Sequence, residues 1–120
     1  MSDRDPRLYV EDMLEFCDCA LAYAAGVSRE SFDADRMRYD AILRNLELIG
    51  EAATHVTAEQ RSLAPQLPWR EIVATRNRVA HAYLGIAADT VWSILRDDLP
   101  TLRSLLAALL DAMPPSPPVS

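Results

Sequence analysis

The stretch Trp69-Arg70-Glu71-Ile72-Val73-Ala74-Thr75-Arg76-Asn77-Arg78-Val79-Ala80-His81-Ala82-Tyr83 holds the residues best suited to chemistry. At about 100° per residue in a helix, Trp69, Ile72, Val73, Ala80 and Tyr83 share one side, and Arg76 falls inside that apolar stripe. A guanidinium in such a place carries a desolvation cost of several kcal/mol unless it is paired or faces a cleft. Two explanations stand side by side: Arg76 bonds an acid of a neighbouring helix, such as Glu47 or Glu51, or it lines a functional groove. Asn77 and His81, four residues apart, are neighbours on the adjoining flank, while Arg76 and Tyr83, seven apart, are nearly aligned two turns along the axis. A cation, an amide, an imidazole and a phenol can therefore converge along one edge.

These groups suit phosphoryl chemistry on RNA, in which a base takes the proton of a 2′-hydroxyl and a fixed cation stabilises charge developing on the phosphate. Imidazoles as a class titrate near neutrality, which makes His81 the candidate base or acid and Arg76 the candidate phosphate holder. Asn77 would orient His81 or the substrate, and Tyr83 would donate a hydrogen bond or stack on a base. On spacing alone a plainer role is the stronger one: a histidine near a helix C-terminus complements the dipole and bonds a terminal carbonyl. His55, at the end of another helix, is read in that plainer way.

Four amphipathic helices must position this segment. Asp5 and Pro6 read as an N-cap and a first helical residue, and Val10, Leu14, Cys17, Leu21 and Ala24 recur at helical steps up to Gly26. Val27 to Asp35 reads as a loop with caps at Ser31 or Asp33, before a second stripe of Tyr39, Ile42, Leu46, Ile49, Ala53 and Val56. Thr57 and Gln60 have capping-box spacing and predict one short turn over Ala58 to Leu63, ahead of the breakers Pro65 and Pro68. The third helix is expected from about Trp69 to Ala82, stopping near Gly85. Asp89 is the expected cap of a fourth, carrying Val91, Leu95, Leu99, Leu102, Leu106, Leu109 and Met113. Pro100 lies within that pattern, and because the stripe keeps its phase on both sides, a kink is expected there. The fold class is thus all-α: an antiparallel bundle of four to five helices over residues 1–113, followed by a disordered Pro/Ser-rich tail over 114–120.

Bulk properties narrow the function. The chain has 120 residues, enough for one domain with a continuous core. Its net charge of -6 excludes a protein that coats nucleic acid by overall electrostatics, so any RNA contact must be local. All 12 basic residues are Arg, a fork suited to phosphate, although a coding bias explains this equally well. Cys17 and Cys19, two residues apart on a helix, point to nearly opposite sides, which excludes a shared metal or a local disulfide and leaves packing as their role. No leader pattern and no apolar run of about 18 residues is present, so the expected location is the cytoplasm, away from membranes.

The residues also resemble a known family. Arg76, four intervening positions, His81 and then Tyr83 are similar to the Arg-x4-6-His-x-Tyr signature of HEPN domains. Ile49-Gly50-Glu51-Ala52-Ala53, Leu67-Pro68-Trp69-Arg70-Glu71-Ile72 and the run from Val91-Trp92 to Asp98-Leu99-Pro100 resemble the matching stretches of HepT-like proteins, so the likeness covers all but the tail. It implies a helical homodimer in which two motif helices face each other across a cleft and form a metal-independent endoribonuclease, the toxin of a type VII toxin-antitoxin system. Arg76 and His81 would be catalytic, with Asn77 and Tyr83 supporting them; no cofactor is implied. The implied partner is a minimal nucleotidyltransferase antitoxin that transfers AMP to the motif tyrosine, here Tyr83. Two other classes remain beside it: a non-catalytic substrate-binding or regulatory subunit of a nucleotidyltransferase, and a helical dimerisation module with no site.

Overall fold

Asp5 accepts a hydrogen bond from the Arg7 N–H at 3.0 Å, and Pro6 takes the first helical position, where a missing N–H costs nothing. The first helix, α1 (Pro6–Ala24), therefore begins where the sequence places it. Gly26, at φ +71°, supplies the left-handed turn that ends it. The computed structural model describes residues 4–81 and 86–115. Tyr83 and most of the expected tail lie outside the described residues.

The segment after α1 departs from the expected loop. Ser28 caps a short helix, α2 (Arg29–Ala34), by accepting from the Ser31 N–H, and Asp35 caps α3 (Arg36–Ala53) by accepting from the Arg38 N–H. The expected caps at Ser31 and Asp33 are therefore corrected to Ser28 and Asp35. Six residues are too few to show a period, and the one buried side chain among them, Phe32, is what fixes α2. It is fully buried, with its ring 5.4 Å from that of Tyr39 and 5.1 Å from that of Trp92.

Thr57 caps α4 (Ala58–Arg61) by accepting from the Gln60 N–H, as the capping-box spacing predicts. Arg61 then reaches back: Nη2 donates to the Ala53 carbonyl at 2.8 Å, Nε to that of Val56 at 3.1 Å, and the guanidinium lies over the Trp69 ring at 5.3 Å. Trp69 Nε1 donates to the Ala64 carbonyl at 3.2 Å. This knot brings the start of α5 (Trp69–Ala80) beside the end of α3, so the two helices run antiparallel. Pro68 precedes α5, and its carbonyl accepts from the Ile72 N–H.

The last rod comprises α6 (Ala88–Ser93), a π-helical turn (Ile94–Asp98) and α7 (Leu99–Ala112). Asp89 is not its cap. Ala87 holds that position without a side-chain bond, while Asp89 sits in the first turn and pairs with Arg29 Nη2 at 2.7 Å, joining α6 to α2. Just ahead of Pro100, where a kink is expected, lies a π turn: the Leu99 N–H bonds to the Ile94 carbonyl five residues back, one residue before the proline whose own donor is missing. The widened turn also keeps the stripe in phase. Val91, Leu95 and Leu99 recur at steps of four, which would drift about 40° per step in a regular α-helix, yet all three are buried.

The core joins Val10, Met13, Cys17 and Ala20 of α1 to Ile42, Leu46, Ile49 and Ala53 of α3 and to Leu99, Leu102, Leu106 and Leu109 of α7. On α1, Leu14, Leu21 and Ala24 are only partly buried, so the inward face is turned toward Met13 and Ala20 relative to the expected stripe. Packing runs α7 on α1, α1 on α3, and α3 on α5. Arg7 closes the end of α7 by donating to the Leu110 carbonyl at 2.8 Å. No strand occurs among the described residues, and none of their helices is long and apolar enough to cross a membrane.

Burial pushes the Cys17 thiol from 9.0 up to about 12, with the neighbouring Asp18 carboxylate adding to the effect. Cys17 is therefore expected to resist alkylation in the native protein and to react only on unfolding, while half-buried Cys19 labels first. Peptide mapping after timed iodoacetamide treatment checks this, and equal native labelling of both thiols contradicts it. Because the folded thiol holds its proton more tightly, its contribution to stability is present below pH 9 and is lost as pH rises toward 12.

Candidate functional site

Gly50 is the residue that brings α5 in. A Cβ built on it would overlap Arg76 Cβ and lie 2.9 Å from Arg76 Cγ, closer than real side chains come, and would press on the Ile72 carbonyl at 3.0 Å. The two helices therefore approach until the Arg76 stem rests on bare backbone. A glycine inside a helix costs roughly 0.5–1 kcal/mol relative to alanine, so the periodic stripe around it concealed a position chosen for contact.

The stem fixed there carries its guanidinium to two partners. Arg76 Nη2 donates to Glu51 Oε2 at 2.5 Å, and Nη1 donates to Asn77 Oδ1 at 2.8 Å. Of the two acids named from sequence, Glu51 is the one engaged; Glu47 instead pairs with Arg44 at 3.0 Å. The side chains of Arg76 and Glu51 are 33% and 48% exposed, so the pair adds at most about 1 kcal/mol to stability. Its consequence is orientation. Arg76 Nε is buried without a hydrogen-bond partner among the described residues, and one donor on each terminal nitrogen is left over.

Asn77 is exposed, and accepting from Arg76 assigns its carbonyl inward and leaves its NH2 group as a donor. His81 is the C-cap of α5, exposed, with its backbone N–H bonded to the Asn77 carbonyl at 3.2 Å. It thus stands one turn beyond Asn77 at the end of the helix. The inward face of α5 is formed by Trp69, Ile72 and Val79, with Arg76 among them; Ala80, expected inside, is exposed. Val79 and not Ala80 lies toward α3 because the Gly50 contact at Ile72 and Arg76 sets the rotation of the helix.

On the exposed flank, Arg70, Asn77, Arg78 and His81 fall within about 100° of arc. Neither Arg70 nor Arg78 forms an ion pair among the described residues. Arg61 and Arg96 also lack one but lie over the Trp69 and Trp92 rings, and the other eight arginines, Arg4, Arg7, Arg29, Arg36, Arg38, Arg44, Arg76 and Arg103, all form pairs. An acidic protein therefore presents a local cationic strip on this helix. His55 takes no part in it: its ring stacks on Tyr9 with centroids 4.6 Å apart, tying the end of α3 to α1. Among the described residues no three His, Cys, Asp or Glu side chains are grouped so as to hold a metal ion.

The pattern that defines the ribonuclease HepT-like family matches residues 10–109, which span every helix of the core. The chain belongs to the ribonuclease HepT-like family. Relatives carry ribonuclease names given provisionally. An RNase so named from Methanocaldococcus jannaschii is 32% identical over 103 residues, covering 86% of this chain and 94% of the relative. The probable ribonuclease HepT of Thermococcus cleftensis is 31% identical over 100 residues, 83% of this chain and 91% of its own. A third, from Caldanaerobacter subterraneus, is 31% identical over 107 residues, 89% of this chain and 96% of its own. No solved structure matches significantly.

For a HepT-like chain whose arginine is seated on a glycine, Gly50→Ala is expected to lower stability by about 1–3 kcal/mol, because the added methyl must drive α3 and α5 apart. Intrinsic helix propensity alone predicts the opposite sign, since alanine is favoured over glycine by about 1 kcal/mol. A thermal melt separates the two: a variant melting at or above the parent temperature contradicts the close-contact account.

Proposed function

We propose that the chain is a HepT-like ribonuclease toxin in which Arg76 holds the scissile phosphate and His81 moves the proton. The observation that carries this is the seat of Arg76: packed on Gly50, oriented by Glu51 and by Asn77, which itself stands one helical turn from His81, in a chain of a ribonuclease family. An arginine needed only for stability has no use for a cation strip beside it, whereas a phosphate chain does. Arg70 and Arg78, about 12 Å apart along α5, would contact flanking phosphates.

In the proposed reaction His81 takes the 2′-hydroxyl proton, O2′ bonds to phosphorus, and the P–O5′ bond breaks as the leaving oxygen is protonated. The products are a 2′,3′-cyclic phosphate and a 5′-hydroxyl end. Arg76 offers its unused donors to the phosphate oxygens as charge develops. Asn77 supports the guanidinium. A second copy of α5 across a cleft would supply the complementary acid, so the working unit is proposed to be a homodimer. The partner is proposed to be a minimal nucleotidyltransferase antitoxin, with Tyr83 as the acceptor of AMP; a charged adduct two residues from His81 would repel an incoming phosphate.

The Arg76–Glu51 bond also fits a non-catalytic subunit of a nucleotidyltransferase, in which the arginine would simply join two helices. Cleavage separates the readings. His81→Ala is expected to fold normally and to lose RNA cleavage by roughly 100-fold or more, and Arg76→Ala to do the same with some loss of stability. Intact RNA after incubation with the parent protein would remove the nuclease reading. For the modification, incubating the chain with such a transferase and ATP is expected to add one AMP by mass, and Tyr83→Phe to prevent it; an adduct on the Tyr83→Phe variant would place the acceptor elsewhere.

A further inference from the structure

The bundle is open on one side. α5 packs on α3, and α7 packs on α1, but no comparable contact joins α5 to the α6–α7 rod. Between them lies a groove of about 440 Å³, floored by Leu46 and Ile49 of α3 and walled by Ile72 of α5 and by Leu99, Leu102 and Leu105 of α7. Pro68 to Thr75 line it along about 10 Å of α5, and Ile94 to Leu105 along about 16 Å of the rod. At 100° per residue, Ile72 and Thr75 lie on the side of α5 turned away from Asn77 and His81, with Glu71 at the edge of that side and Arg76 next to Ile72. None of Arg76, Asn77 and His81 lines the groove, which opens away from the edge where Asn77 and His81 stand.

Its charge has one sign. Glu71, Asp97 and Asp98 line the groove, and no arginine or histidine does. Asp97 and Asp98 belong to the π turn, which also contributes Ile94, so the irregularity in the last rod shapes this wall. A two-fold contact with a second copy through this face would bring carboxylates to carboxylates. An RNA strand would meet the same repulsion.

We propose that this groove is a docking site for a basic amphipathic helix of a protein partner. Leucine-like side chains at i, i+4 and i+7 of that helix would enter between α5 and α7, and Lys or Arg on its flanks would face Glu71, Asp97 and Asp98. A trough of this length matches two turns of helix, and an occupant would supply the support that α5 lacks on its α7 side. The proposal is independent of the nuclease reading.

The test uses a fluorescein-labelled synthetic helix with leucines at i, i+4, i+7 and i+11 among lysines and alanines, and a scrambled peptide of equal composition, read by anisotropy against the full chain. Exposed Thr101 lines the groove, so Thr101→Arg closes it without disturbing the core. The patterned peptide is expected to bind, Thr101→Arg to weaken it at least about 10-fold, and D97N/D98N to weaken it further at low salt than at high salt. Equal binding of the scrambled peptide, no binding at all, or no effect of either variant overturns the proposal. Sedimentation of Thr101→Arg supplies a second readout: loss of a dimer that the parent forms would assign the groove to a second copy and overturn it as well.

Discussion

The close passage of α3 over α5 at Gly50 is the constraint on which the rest is built. One missing methyl group lets the stem of Arg76 lie on the neighbouring backbone, and that seat decides how far and at what rotation α5 meets the bundle. From it follow the partners of the guanidinium, the choice of Val79 over Ala80 as an inward residue, and the exposed flank on which Asn77 and His81 stand. A larger residue would move all of these together, since they ride on one rigid helix.

The acidic balance of the chain and an RNA substrate are reconciled by where the acids are spent. Most arginines of α1, α2 and α3 have a carboxylate within one turn or on the next helix, which leaves them nearly neutral as seen from a distance. On α5, by contrast, Arg76 has its carboxylate in Glu51 while Arg70 and Arg78 have none among the described residues, and the helix's one acid, Glu71, lines the groove. Attraction for a phosphate chain can thereby be local to the exposed flank of α5, where net charge says nothing about it.

Much of this was legible in the residues, and the exceptions have physical causes. The stripes of α3 and of the last rod were readable because every buried position repeats at helical spacing over many turns, and Asp5 and Thr57 were readable because capping is a local interaction. α2 was not, because a single buried phenylalanine carries no period. The cap at Asp89 failed because an acid near a helix start serves equally as a first-turn residue with an ion partner, here Arg29 from another helix. At the site, the odd placement of Arg76 was visible and Glu51 was one of its two named acids. The role of Gly50 was not, since a close approach between helices depends on what the second helix offers. The signal that would have found it is a glycine interrupting the inward stripe of a strong helix, one residue before the acid that Arg76 bonds.

The Arg61–Trp69 knot makes the spacing between Trp69 and Arg76 a fixed count. Trp69 is held by the Ala64 carbonyl beneath a guanidinium that is itself tied to the end of α3, and seven residues later the chain must present its arginine to a glycine. Lengthening the connection before Trp69 would merely give a longer loop. One extra residue after it would turn every later side chain by about 100° and set a different atom against Gly50. Insertions are thus tolerable on one side of the tryptophan and ruinous on the other, as with a ratchet whose first tooth is pinned.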